Sequence, residues 1–212
     1  KIRTHWGIKA VNPDYMLGVH RALRGEGKEQ TVELTMTAFV ESMALAFKQY
    51  VFDDKKLAKL KTPNEKGMHL HKHLLQDDES KRKQEAEATV VRDRGYAKLL
   101  GMILWAARMC FPECLVGASM LGRVMACPTE EAWSEGIKIM NWMIQNKHRG
   151  IKFSANGNEV PVVFVDASNK PDPSDGKCQY GYVIMWKGGP IVTVSKKLAH
   201  VGLSAAHNEY MA

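Results

Sequence analysis

The hydrophobic period of this chain changes at Gly150, and that change restricts the fold to a mixture of helices and strands. Upstream, Tyr96, Leu99, Leu100, Ile103 and Ala107 recur at three- and four-residue intervals, as do Trp133, Ile137, Met140 and Ile144. That spacing lines one face of a helix. Downstream, "VPVVFVDAS", "QYGYVIMW" and "PIVTVSKK" are short β-rich runs parted by the turn chemistry of "NKPDPSDGK" and "KGG". "LSAAHNEYMA" then returns to helix, with Ser204 as its N-cap. The order predicts a mixed α/β chain, a helical part followed by a strand-strand-strand-helix unit with 161–166 in the middle of its sheet.

The helix limits follow from local chemistry. Pro112 ends the first helix, a second begins near Leu115, and Thr129 caps a third whose first turn carries Glu130 and Glu131. Gly150 is expected as the C-terminal stop of that third helix. Nearer the start, "DYMLGVHRAL" and "TVELTMTAFV" are parted by Gly25–Gly27, which predicts a hairpin. It feeds a helix with Phe39, Met43, Phe47 and Tyr50 on its apolar face. Residues 61–94 are polar with few apolar anchors, which predicts a mobile connection. His69, His71 and His73 alternate within it, but no acid or cysteine stands at ligand spacing, so a solvated loop is expected over a metal site.

With 45% hydrophobic and 25% charged residues over 212 positions, the chain can bury a core, which excludes disorder as the global state. The net charge of +7 is uneven: after Gly150, six Lys/Arg face five acids, so nearly all the surplus lies upstream. Such a surplus fits a polyanion partner such as nucleic acid, and equally a simple solubility role. The four cysteines have no zinc-ribbon or CxxC spacing, and neither a signal peptide nor a membrane-length apolar run is present. Free, buried thiols in a reducing compartment and no membrane partner are therefore expected. The chain opens on Lys1 and stops at Ala212 inside a helical pattern, which reads as a fragment of something longer.

The chemistry concentrates at one strand tip. An apolar run, Val162 to Val165, reads as a buried strand and ends in Asp166, so a rigid backbone would deliver a carboxylate to the surface. Glu209 lies within the following helix, where it could face the same spot. Two converging carboxylates can hold Mg²⁺, which takes few protein oxygens and leaves the remaining positions to water or phosphate. Each acid alone reads more simply as a turn former or a solvated helix position.

These residues resemble the polymerase polyprotein of copia-type long-terminal-repeat retrotransposons. Asp166-Ala167, Gly181-Tyr182-Val183, Gly188 to Ile191, Ser195 to Lys197 and Leu203 to Ala212 stand in the order of that family's ribonuclease H motifs. Tyr96, Leu100, Gly101, Pro112, Arg123, Pro128, Trp133 and Gly150 are similar to the helical connection before the nuclease, and "YMLGV", "VELTMTAFVESMALAF" and "KTP" to the end of the reverse transcriptase. The resemblance divides the chain into residues 1–75 as the C-terminal part of reverse transcriptase, 76–94 as a charged linker, 95–155 as the connection and 156–212 as the N-terminal half of a ribonuclease H-like domain.

The resemblance implies Mg²⁺-dependent hydrolysis of RNA in RNA–DNA hybrids, with Asp166 and Glu209 as metal ligands and catalytic groups. It implies the rest of the polyprotein as partner and a cytoplasmic virus-like particle or the nucleus as location. Arg123 and Lys138 are candidate phosphate contacts, and equally solvated helix positions. The pattern departs at His207, where the family has an acid, and at Ala205, where it has a serine. The family's third carboxylate lies on a later strand past Ala212, so the fragment alone is expected to be inactive. Asp53-Asp54 stands in the wrong place for the polymerase's paired aspartates and is expected to form a charged turn. The rival expectation is a decayed element copy that binds nucleic acid, or only folds, without catalysis.

Overall fold

The computed structural model describes residues 14–64, 70, 77–168, 172–202 and 204–211. His69, His71 and His73 lie outside these residues. A first antiparallel sheet has the order β1 (Tyr15–Met16), β2 (Val19–Arg24), β3 (Thr31–Thr35) and β4 (Gly150–Ser154). A second has the order β5 (Val162–Ala167), β6 (Gln179–Trp186) and β7 (Gly189–Lys197). The helices are α1 (Thr37–Ala46), the single turn α2 (Asp54–Leu57), α3 (Asp78–Asp93), α4 (Tyr96–Met109), α5 (Leu115–Arg123), α6 (Glu130–Gln145) and α7 (Ala205–Met211). The result is a mixed α/β fold with two separate, unclosed antiparallel sheets, and among the described residues no helix is long and apolar enough to cross a membrane.

The hairpin expected around Gly25–Gly27 forms, with Arg24 opposite Thr31. Gly25 adopts φ +72, and a Cβ there would lie 2.7 Å from the Glu29 carbonyl oxygen, so the turn needs glycine. The core fills the space between α1, α4, α5 and α6. Met36, Val40, Met43, Leu99, Ile103, Phe111, Ile139, Met140 and Met143 are fully shielded in it, and each such side chain contributes about 1.5–3 kcal/mol by burial. Phe47 and Tyr50 meet the Trp133 ring edge-on at 6.2 and 5.1 Å. Tyr96 sends its hydroxyl 2.9 Å to the Leu121 carbonyl, which satisfies its one polar atom. Thr129 caps α6 as expected, accepting from the Ala132 amide at 3.2 Å.

Four expectations need correction. Within the polar stretch expected to be a mobile, charged linker, residues 78–93 form the four-turn helix α3. Asp77 caps it by accepting from the Ser80 amide at 2.7 Å, Lys83–Glu79 and Lys81–Asp78 pair along it, and Ala88 and Val91 bury a narrow stripe. Gly150 is not the stop of α6, which ends at Gln145 with Asn146 as cap; it opens β4, which pairs with β3 in the register Thr31↔Ser154 to Thr35↔Gly150. Any Cβ on Gly150 would sit 2.2 Å from the Leu34 carbonyl oxygen. That ladder joins residues 31–35 to 150–154 and packs the expected polymerase tail and connection around one core. In the second sheet the middle strand is β6, and β5 stands at the edge.

The fourth correction concerns burial. β5 is not buried: Val162, Val163, Phe164 and Val165 are 39, 56, 60 and 52% exposed. Among the described residues after Ser154, the buried apolar side chains are Cys178 and Leu198. The second sheet is therefore held by its own ladders and by its seat on α5 and β4, not by a core of its own.

Candidate metal centre and polar junction

Asp166 stands near the C-terminal end of β5, paired in register with Gly181, which pairs in turn with Ser195. The three lie in one row across one face of the sheet. Gly181 places no side chain beside the carboxylate, and a Cβ there would approach the Val194 carbonyl oxygen at 2.9 Å. The same face looks toward α5 across an open cavity of about 400 Å³ lined by Val116, Met120, Phe164, Asp166, Gln179 and Val183. Asp166 itself is exposed.

Glu209 is exposed on α7, which packs against β5. Ser204 caps this helix as expected, accepting from the His207 amide at 3.1 Å. Asn208 faces inward and donates to the Cys178 sulfur at 3.3 Å, while its Oδ1 is buried without a partner among the described residues. His207, Asn208 and Met211 border a second, smaller cavity of about 190 Å³ with Tyr180. Tyr180 pairs with Ala167, one residue on from Asp166, and so lies on the other face of the sheet. Neither Asp166 nor Glu209 takes part in an ion pair or side-chain hydrogen bond among the described residues.

Arg123 has a different role from the one expected. Its side chain is 15% exposed and its guanidinium turns inward, pairing with Asp172 at 3.4 Å and donating to Gln179 Oε1. Lys197 pairs with the same Asp172, and at 3.1 Å with Asp175. Gln179 extends the network by donating to Ser119 at 3.1 Å and Ser195 at 2.6 Å. These groups fasten α5 to β6, β7 and the 172–178 turn. Burial alone would raise the Asp172 carboxyl, but hydrogen bonds from Lys197 and Ser174 and the Lys197 charge outweigh it and hold it at about 2. Burial also pulls the Arg123 guanidinium below its ordinary range, against the charges of Asp172 and Asp175. The sequence carries no signal for this junction beyond the residue types, because Asp172 comes from a turn far along the chain.

Lys138 is held at 2.8 Å by Glu135, one turn before it on α6. Asp53 caps the single turn α2 by accepting from the Lys56 amide at 2.8 Å, so the paired aspartates form a capped turn. Lys48, Lys55, Lys56, Lys59 and Lys61 around that turn are exposed and carry no ion pair among the described residues. All four cysteines are free thiols, with Cys110, Cys114 and Cys178 buried.

No protein-family profile matches the chain, and no solved structure matches it. Over 117 residues it is 24% identical to the secreted RxLR effector protein 161 of Plasmopara viticola, covering 55% of this chain and 82% of that protein. A likeness at this level carries no activity from one chain to the other.

Proposed function

We propose that the chain is part of a copia-type retrotransposon polymerase polyprotein, spanning the reverse transcriptase end, the connection and the first half of a ribonuclease H-like unit. Its Asp166 and Glu209 contribute two ligands to a Mg²⁺ site that hydrolyses RNA in an RNA–DNA hybrid. One observation carries this reading. Three consecutive antiparallel strands are followed by a helix that returns to pack on β5, and those two touching elements carry unengaged, exposed carboxylates.

The donor set fits the ion in kind, since Mg²⁺ takes one or two carboxylates and fills the rest of its shell with water or phosphate. In number the set falls short: among the described residues no group of three or more His, Cys, Asp or Glu gathers at one place. When bound, Mg²⁺ would supply an activated water and stabilisation of the leaving oxygen. The chain's own part would be to hold Asp166 on a strand end where Gly181 leaves it room; Glu209 stands on α7, whose inner residues border the cavity on the opposite, Tyr180 face, so the two carboxylates would have to reach one ion around the sheet edge. With Arg123 and Lys138 engaged internally, the lysines around α2 are the better candidates for tracking phosphates.

The test uses Mn²⁺ as probe in place of Mg²⁺. Paramagnetic broadening of amide signals should centre on residues 165–168 and 206–211 and fade in Asp166→Asn and Glu209→Gln. Broadening unchanged in both variants removes the site. Hybrid and Mg²⁺ with this chain alone should give no cleavage, whereas a chain extended to the family's later acid should cleave and lose that activity in Asp166→Asn. An inactive extended chain favours the second reading, a decayed copy without catalysis, which the acid-to-histidine departure at His207 supports.

A further inference from the structure

The polar junction ends in two hydroxyls that line a groove. Gln179 sits between Arg123 on one side and Ser119 and Ser195 on the other. A guanidinium offers donors alone, so the Gln179 amide must turn its oxygen to Arg123 and its nitrogen to the serines. That nitrogen donates to Ser119 Oγ at 3.1 Å and to Ser195 Oγ at 2.6 Å. Each serine therefore accepts from Gln179 and keeps its own hydrogen to give, and neither gives it to a described residue. The charge of Arg123, passed on through the amide, makes both hydroxyls better donors.

Both serines line an open cavity of about 300 Å³ between α4, α5 and β7. Arg108 of α4 and Lys196 of β7 line it too, both exposed and without an ion pair or side-chain hydrogen bond among the described residues. No Asp or Glu stands among its described lining residues. The lining comes from residues 104–122 and 193–196, so the groove is formed by these three elements alone. It meets α5 at Ala118, Ser119 and Gly122, whereas the cavity that Asp166 lines meets α5 at Val116 and Met120. The two are separate places on the molecule.

We infer that this groove is a phosphate-binding site, and that the phosphate it takes is the phosphodiester of a nucleic acid strand. Two cations and two oriented hydroxyls without a carboxylate suit an anion with several oxygens, and the planar fork of Arg108 matches a phosphate in particular. The cavity is larger than one phosphate group, which suits a phosphate carried on a bigger molecule. Nearly all of the +7 net charge lies in the part of the chain that contains Arg108, and such a surplus draws polyanions. The strand as carrier rests on the retroelement reading above; the phosphate chemistry of the groove does not.

The experiment is amide shift mapping of the 212-residue chain in chelator, first with inorganic phosphate and then with a short single-stranded DNA. Amides of 104–108, 118–122 and 193–196 should move with both, and the strand should saturate them at lower concentration. Arg108→Gln should weaken both about tenfold, and Ser119→Ala and Ser195→Ala about threefold each. Gln179→Glu still answers Arg123 but has no hydrogen to give, so the serine hydrogens turn to its carboxylate and phosphate binding should be lost, with an unchanged circular dichroism spectrum showing that the fold holds. Lys83→Gln, an equal loss of charge on α3, should leave phosphate binding unchanged. No movement at these amides with either probe, or Arg108→Gln binding phosphate as well as wild type, would overturn the site. A strand no tighter than inorganic phosphate would overturn the choice of carrier. With divalent ions chelated, none of these readouts depends on Asp166 and Glu209 acting as metal ligands.

Discussion

Asp172→Asn should loosen the second sheet from the helical body while leaving that body folded. The carboxylate is 1% exposed and answers two cations, Lys197 and Arg123. Held at about 2 against an ordinary 3.8, it contributes about 2 kcal/mol to the folded state near neutral pH. The asparagine keeps the shape and the bond from Ser174 but leaves both cations without their shared charge, with Asp175 able to serve Lys197 alone. In a cooperative unfolding, about 2 kcal/mol in a chain of this size lowers Tm by about 4–8 °C. The pH dependence has a fixed sign. A carboxyl depressed in the fold stabilises fully above pH 3.8 and loses that contribution as pH falls toward 2, so wild type should weaken across this window and Asp172→Asn should lack that part of the slope. Hydrogen exchange tells where the loss falls. Amides of β5–β7 should exchange faster in the variant while those of α4 and α6 hold, because neither helix contributes a side chain to the junction. Equal acceleration in α4 and α6, or an unaltered acid slope, would refute the role given to the junction.

Asn141, fully buried on α6, accepts from the Phe52 amide at 2.7 Å and donates to the Tyr50 and Ile137 carbonyls at 3.0 and 2.9 Å. Asn141→Ala strands two main-chain groups of the 50–52 segment and should cost about 2–4 kcal/mol in denaturant unfolding. A loss well below 1 kcal/mol would mean that water replaces the amide. Among the thiols, burial pushes Cys110 up to about 12 and Cys114 higher still, while Cys127 is half-buried. Native alkylation followed by peptide mapping should therefore modify Cys127 first and leave Cys110 and Cys114 intact until the chain unfolds.

Local chemistry was legible where it acts through neighbours in sequence. The stripe of α4, the Thr129 cap, the Gly25 turn, the Ser204 cap and the three closing strands follow from period and turn residues alone. Part of what the sequence leaves hidden depends on partners far away. The five residues of β4 are too short to signal a strand, and their ladder partner lies at 31–35. α3 was hidden because its apolar stripe is narrow and its stability rests on a cap and charge pairs, so counting apolar anchors undervalued it. From sequence, Arg123 is a candidate phosphate contact and equally a solvated helix position, because only the fold brings Asp172 to it. For the candidate site, the elements carrying Asp166 and Glu209 were legible, but the exposure of β5 was not, since an apolar run says only that a strand would gain from burial.

If Asp166 and Glu209 share an ion as proposed, that exposure sets how tightly they would hold it. Asp166 and Glu209 both face water, and no ion pair or hydrogen bond among the described residues prearranges either of them. At the dielectric of water, the attraction of a divalent ion to two carboxylates about 4 Å away amounts to a dissociation constant on the order of 1 mM. Losing one of the two charges should weaken binding about thirtyfold. Titrating Mn²⁺ against the chain, with amide broadening as readout, should therefore saturate only in the millimolar range, and Asp166→Asn and Glu209→Gln should weaken it alike. Because the charges are exposed, raising ionic strength should weaken it further, as screening shortens their reach to about 8 Å at physiological salt. Submicromolar binding would mean that another ligand completes the site, and Asp166→Asn binding as well as wild type would mean that the two acids do not share an ion.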